Sequence, residues 1–208
     1  MPPGITIKGY SDPPRIPELD LEVNTGEFVL LVGESGSGKS RLVRRLAGIE
    51  QSGGSGLTIA GGLPGSPAAL ARSTFLFQGD NLDRDREVVQ QLVRRLCLRG
   101  IHRRDAGRLV MDWCVLLGVT DLLHRKPADL NLEQVQLLSF APIVLWQPGA
   151  VVLDEPLSNL GAAARTEVTG WIGGLRGHAS VLAAVSDPSG LREVADRTVF
   201  LTDGGASP

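Results

Sequence analysis

The stretch "EFVLLVGESGSGKSRLVRRLAGI", residues 27–49, decides the reading of this chain. It opens with a run of consecutive apolar residues, as a strand covered on both faces should. It then passes through three glycines and a lysine and enters an amphipathic pattern that predicts a helix. The spacing Gly33-x-x-x-x-Gly38-Lys39-Ser40 is that of a phosphate-binding loop (P-loop), and the strand–loop–helix context agrees with it. Glycines let successive backbone N–H groups turn inward toward phosphate oxygens, and the helix N-terminus adds its positive end. The cradle comprises Gly33, Glu34, Ser35, Gly36, Ser37, Gly38, Lys39, Ser40 and Arg41, with Lys39 directed at the β- and γ-phosphates and Ser40 at Mg²⁺.

Outward from this loop, further β-rich runs lie at 4–10, 19–23, 73–78, 150–156, 180–187 and 196–204, with helical pattern filling several of the gaps. That alternation predicts an α/β fold with buried parallel strands. The middle differs: Val88, Val89, Leu92, Val93 and Leu96, then Leu109, Val110, Trp113, Leu116 and Leu117, recur at helical spacing. A helical lobe over 81–147 is therefore expected, inserted into an α/β core of 1–80 and 148–208. The Gly-rich stretch 53–70 leads into it, with a short strand at 57–60. The 208 residues, 42% hydrophobic, suffice for one such domain, and a net charge of −2 gives no bulk attraction to nucleic acid. Cys97 and Cys114 lack metal-ligand spacing and read as buried thiols. No secretory signal pattern opens the chain, and no apolar run reaches the ~18 residues of a membrane span.

Phosphate chemistry needs a second acidic station, and "AVVLDEP" (150–156) supplies it. Asp154 at the end of a buried strand would hold the Mg²⁺ shell, and Glu155 beside it would polarise an attacking water.

Together these residues resemble the ATP-binding subunit (nucleotide-binding domain) of ABC transporters. The likeness covers nearly the whole chain: "LDLEVNTGEFVLLVGESGSGKS", Gln78 in "FLFQGD", "LDEPLSNL" (153–160) and "VADRTVFLTDG". The resemblance implies a P-loop NTPase core with a mainly parallel sheet, an N-terminal antiparallel β subdomain and an inserted helical lobe. It implies Mg-ATP as ligand, Glu155, Gln78 and Lys39 as catalytic groups, and Ser40, Gln78 and Asp154 around the metal. Tyr10, 29 residues before Lys39, falls where the family has an aromatic that stacks on adenine. It further implies a second ATP-binding subunit, a separate membrane-spanning permease, no nucleic acid, and a place at the cytoplasmic face of the membrane.

The departures concern parts that act across a dimer. The family's Leu-Ser-Gly-Gly-Gln signature, whose serine and glycines close on the γ-phosphate of the opposite subunit, aligns here with Leu130-Asn131-Leu132-Glu133-Gln134, twenty residues before Asp154. Leu132 and Glu133 put side chains where close backbone approach was needed, and Glu133 brings negative charge toward a polyanion. Asn131 and Gln134 still make an N-cap pair for a helix. Gly161 stands for the family's aspartate, Ser186 for its switch histidine, Arg41 for a threonine and Pro142 for a helical arginine; Ser186 can offer the γ-phosphate only a weak hydrogen bond. The expectation is a chain that binds Mg-ATP but hydrolyses it poorly as a homodimer, with an asymmetric pair slightly favoured. The sequence running out at Pro208 leads one to expect no appended regulatory domain. A soluble ATP-dependent regulator or scaffold with the same fold is the alternative; a small-molecule kinase fits the motifs poorly.

Overall fold

The computed structural model describes residues 4–51, 56–79, 81–202 and 205–207. Residues 53–55 of the Gly-rich connection, Asp80 after the Gln78 segment, and 203–204 at the end of the last expected strand lie outside the described residues.

The chain divides into two compact units. The first comprises Met1–Gln78, Pro148–Ser158 and Arg165–Pro208; the second comprises Gly79–Gln147 with Asn159–Ala164. In the first, β1 (Ile5–Asp12), β2 (Ile16–Val23) and β4 (Gly56–Ile59) form an antiparallel sheet in the order β2-β1-β4. A second sheet runs β5-β6-β7-β3-β8-β9, built from β3 (Phe28–Val32), β5 (Ser73–Leu76), β6 (Ala150–Asp154), β7 (Ser180–Val185), β8 (Arg197–Thr202) and β9 (Gly205–Ser207). All its pairings are parallel except β8 with β9. Every residue of β3, β6 and β7 is buried, which is why these strands read as unbroken apolar runs rather than as alternation. Helices α1 (Lys39–Leu46) and α2 (Pro67–Leu70) belong to the same unit. Helix α1 buries Leu42, Val43 and Leu46 and leaves Arg41 and Arg44 outward, while Arg45 is half-buried.

The second unit holds α3 (Val88–Cys97), α4 (Arg103–Leu117), α5 (Leu132–Ser139) and α6 (Ala141–Trp146). Val88, Leu92 and Leu96 form the buried stripe of α3. On α4 the stripe is Ala106, Val110, Trp113 and Cys114, while Leu109 and Leu116 face outward although their spacing predicted burial. Pro142 acts as expected of a residue without an N–H: α5 stops at Ser139, and the proline lies in the first turn of α6, where no partner is required. Helix α7 (Ala162–Gly173) follows β6. No helix among the described residues is long and apolar enough to cross a membrane.

Candidate nucleotide site

Strand order alone gathers the candidate residues. Because β5, β6, β7 and β3 are parallel neighbours, the segments leaving their carboxyl ends emerge on one edge of the sheet: Gln78 after β5, Asp154 and Glu155 at β6, Ser186 after β7, and the glycine loop after β3. Register fixes this closely, since Val32 pairs with Val185 and Asp154 with Ala184. The Gly33 N–H donates to Val185 O at 3.2 Å, and the Glu155 N–H to Ala184 O at 2.9 Å.

The loop holds a shape that only glycine tolerates at two points. Gly36 has φ 85° and Gly38 φ 95°, and a Cβ on Gly38 would meet the Ile16 side chain at 3.2 Å and Arg15 Cβ at 3.4 Å. Gly38 is the N-cap of α1 and offers no side-chain cap, so the first N–H groups of the helix stay available to an anion. Lys39 is 5% exposed, and its ammonium donates to Gly33 O at 2.6 Å and Glu34 O at 2.8 Å, with the Ser37 hydroxyl at 3.4 Å. Burial pulls the Lys39 pKa below the usual lysine value, against the opposing pull of Glu155 and Asp154. Gly33, Glu34 and Ser37 thus hold the lysine, while Ser35, Gly36, Gly38, Lys39, Ser40 and Arg41 line a cleft of about 730 Å³.

Asp154 is 3% exposed, and desolvation raises its pKa despite hydrogen bonds from the Ser40 hydroxyl and the Gln78 backbone. Its Oδ1 is buried without a hydrogen-bond partner. A carboxylate oxygen left over beside a serine hydroxyl suits a hard cation that takes its remaining ligands from phosphate and water. No cluster of three or more His, Cys, Asp or Glu side chains able to hold a metal occurs among the described residues. Glu155 lines the cleft from a left-handed backbone, φ 47°, a conformation that costs a non-glycine residue about 1 kcal/mol or more. Strain at such a position is tolerated where the surroundings over-determine it.

Three of the candidate residues make contacts that the sequence does not announce. Tyr10 is completely buried and presents no face to a base. The reason is a β-bulge: Ile7 pairs with Leu21 but Tyr10 with Leu19, so three steps on β1 oppose two on β2, with Gly9 at φ 57°. The extra residue turns Tyr10 to the same inner face as Ile5 and Ile7, where the Arg45 guanidinium lies 5.3 Å from its ring. Ser186 lines the cleft, but its hydroxyl donates to Glu155 Oε1 at 2.5 Å. The Arg41 side chain is drawn to Asp12 at 2.8 Å and Glu50 at 3.0 Å rather than to the loop. Residues that sequence reasoning passes over are Arg15, Arg44, Glu50 and Ser158, which complete the lining. The turn signal Pro13-Pro14 directly before Arg15 is the available hint.

In the second unit, the signature segment forms the expected capping box. Asn131 Oδ1 accepts from the Gln134 N–H at 2.9 Å, and Gln134 Oε1 from the Asn131 N–H at 3.1 Å. Leu132 is 70% exposed. A Cβ on Gly161 would stand 3.5 Å from the Glu133 carboxylate, so an aspartate there would meet a like charge.

The family model described as "ABC transporter" matches residues 16–158. The chain belongs to the ABC transporter family. It is 30% identical over 200 residues to the sn-glycerol-3-phosphate import ATP-binding protein UgpC 2 of Agrobacterium fabrum, covering 95% of this chain and 54% of that protein. It is 32% identical over 203 residues to the maltose/maltodextrin import ATP-binding protein MalK of Mannheimia succiniciproducens, covering 96% and 55%. The trehalose import ATP-binding protein SugC of Mycobacterium tuberculosis is 31% identical over 201 residues, covering 95% and 51%. The chain thus spans about half the length of these curated relatives. A solved structure titled "Structure of ATP binding subunit of ABC transporter" superposes with a TM-score of 0.87 at 17% identity, covering 98% of this chain and 88% of that one. At that identity the superposition speaks for the fold.

Proposed function

We propose that this ABC-family chain is the ATP-binding subunit of a membrane import complex, binding Mg-ATP in the loop cleft and working with a separate membrane-spanning permease. The observation that carries the nucleotide reading is the uncapped, lysine-anchored loop set beside the leftover oxygen of buried Asp154. Ser40 and Asp154, with Gln78, would hold Mg²⁺, which would supply charge neutralisation between the phosphates. Glu155, which lines the cleft beside them, would orient the attacking water. Ser186, bonded to that carboxylate, can steady it but cannot take up a charge near neutral pH as histidine does.

The same reading makes hydrolysis by a homodimer weak. Leu132, Glu133 and Gly161 leave the surface meant for a second subunit's nucleotide without its donors and with a carboxylate instead. An asymmetric pair with an intact partner subunit would keep one serviceable site. For the permease, the helical unit offers an open groove of about 930 Å³ whose lining includes Arg86, Arg94, Arg95 and Arg103 alongside Val89, Val93 and Leu98. The import direction is taken from the names of the relatives, and a position at the inner membrane face from the family resemblance; both belong to this proposal.

Affinity purification of the chain from its native cells in mild detergent with Mg-ATP tests it. A multi-span membrane protein in stoichiometric amount is the expected result. Soluble partners alone would replace the transport reading with an ATP-dependent regulatory role.

A further inference from the structure

With Tyr10 buried, no aromatic ring lines the cleft among the described residues. Its lining carries four cations, Arg15, Lys39, Arg41 and Arg44, and two carboxylates, Glu50 and Glu155. Three of the cations are already committed. Lys39 is held by loop carbonyls, Arg41 by Asp12 and Glu50, and Arg44 faces Glu50 at 3.8 Å. Arg15 is exposed, and its side chain has no hydrogen bond or ion pair among the described residues.

Its location is specific. Arg15 sits at the β1–β2 turn, anchored by its N–H to Asp12 O at 2.9 Å, and its Cβ packs over Gly38 at the start of α1. A triphosphate laid along the loop has its terminal phosphate near Lys39 and Glu155. With Gln78, Ser158 and Ser186 on the Glu155 side, the other end of the nucleotide would run toward the lining residues of the β1–β2 turn and the outer flank of α1, Arg15, Arg41 and Arg44. There the uncommitted group is a flat, delocalised cation, which attracts the face of an aromatic base as an aromatic side chain would.

From this we infer that Arg15 is the base-stacking residue of the cleft, taking by guanidinium–base contact the role that the family resemblance assigns to Tyr10. The inference rests on the ATP-binding reading above. It carries a specificity consequence: both Glu50 oxygens face arginines, so this carboxylate does not select adenine at the rim, and purine triphosphates are held with similar affinity.

The test compares ATP with inorganic triphosphate on the full chain by calorimetry in the presence of Mg²⁺. Arg15→Ala is expected to weaken ATP about tenfold while leaving triphosphate within about twofold, and Arg15→Trp to restore ATP binding where Arg15→Lys does not. GTP is expected within about fivefold of ATP in the unsubstituted chain. Equal loss of ATP and triphosphate in Arg15→Ala would make Arg15 a phosphate contact and overturn the inference, as would no loss of either. If the unsubstituted chain binds neither ligand and Lys39→Ala changes nothing, the nucleotide reading itself fails and takes this inference with it; triphosphate binding that needs Lys39 but not Arg15 separates the two.

Discussion

The helices that start at Gly38 and Asn131 treat their unsatisfied N–H groups in opposite ways. At Gly38 no side chain caps α1, and the glycine's left-handed backbone leaves the amides facing the cleft. At Asn131 the side chain takes the Gln134 N–H, and the Gln134 side chain in turn takes the Asn131 N–H. The first arrangement sacrifices local helix stability to keep an anion site open. The second stabilises the helix and uses its donors on itself. The family resemblance implies that both helix starts face nucleotide, one in its own subunit and one across a dimer. Here the first helix start is left uncapped, as the proposed phosphate site requires, and the second carries a complete capping box.

The largest expected effect lies on the open side. Lys39→Ala should weaken Mg-ATP by about 30- to 150-fold, the ~2–3 kcal/mol of a charge-assisted contact, whereas Glu133→Ala leaves own-chain affinity within about twofold. Calorimetry on both variants checks the contrast, and equal losses would erase it.

Asp154→Asn probes the strain of the same region. Desolvation raises the folded-state pKa of Asp154, so the unfolded chain releases this proton first as pH rises. Stability is therefore lost across that interval and stays lost at neutral pH. Removing the charge should raise the ligand-free Tm at pH 7 by about 1–3 °C, with the gain shrinking toward the acid end, and abolish the Mg-ATP-induced Tm rise. A drop in Tm would mean that the Ser40 and Gln78 bonds outweigh burial.

On the capped side, Asn131→Ala should cost about 1 kcal/mol, or about 2–4 °C in Tm, with nucleotide affinity unchanged. The smallest effect is a coupling. Gly161→Asp should destabilise by about 0.5 kcal/mol beside Glu133 and be relieved in Glu133→Ala, as a double-mutant cycle by denaturant titration would show. Such coupling would make the loss of the family's aspartate and the gain of Glu133 a single linked departure.

How far the sequence can be read depends on whether local chemistry decides the outcome. The strand runs at β3, β6 and β7 are legible because burial on both faces writes itself as continuous apolar sequence, and the capping box because Asn131 and Gln134 act within four residues. The helical stripe of α3 is clear for the same reason; Leu116 departs from its expected burial because spacing alone does not say which of two adjacent stripes meets a neighbour. Tyr10 departs from its expected place because that expectation counts residues back from Lys39, and one bulge at Gly9 changes which side of the strand a residue faces. The pairing of Arg41 with Asp12 and Glu50, and of Ser186 with Glu155, joins residues distant in sequence that only the sheet order brings together.

On the function proposed above, the cleft binds Mg-ATP while the self-capped region does not complete hydrolysis in a second copy of the chain, so binding and turnover should separate. Measuring nucleotide binding and phosphate release on the purified chain at saturating Mg-ATP, beside Glu155→Gln, tests this most directly. Saturable binding that depends on Lys39, with phosphate release no faster than in Glu155→Gln, is the predicted result. Turnover of about one per second or more, within the ordinary range of enzymes and abolished by Glu155→Gln, would contradict it.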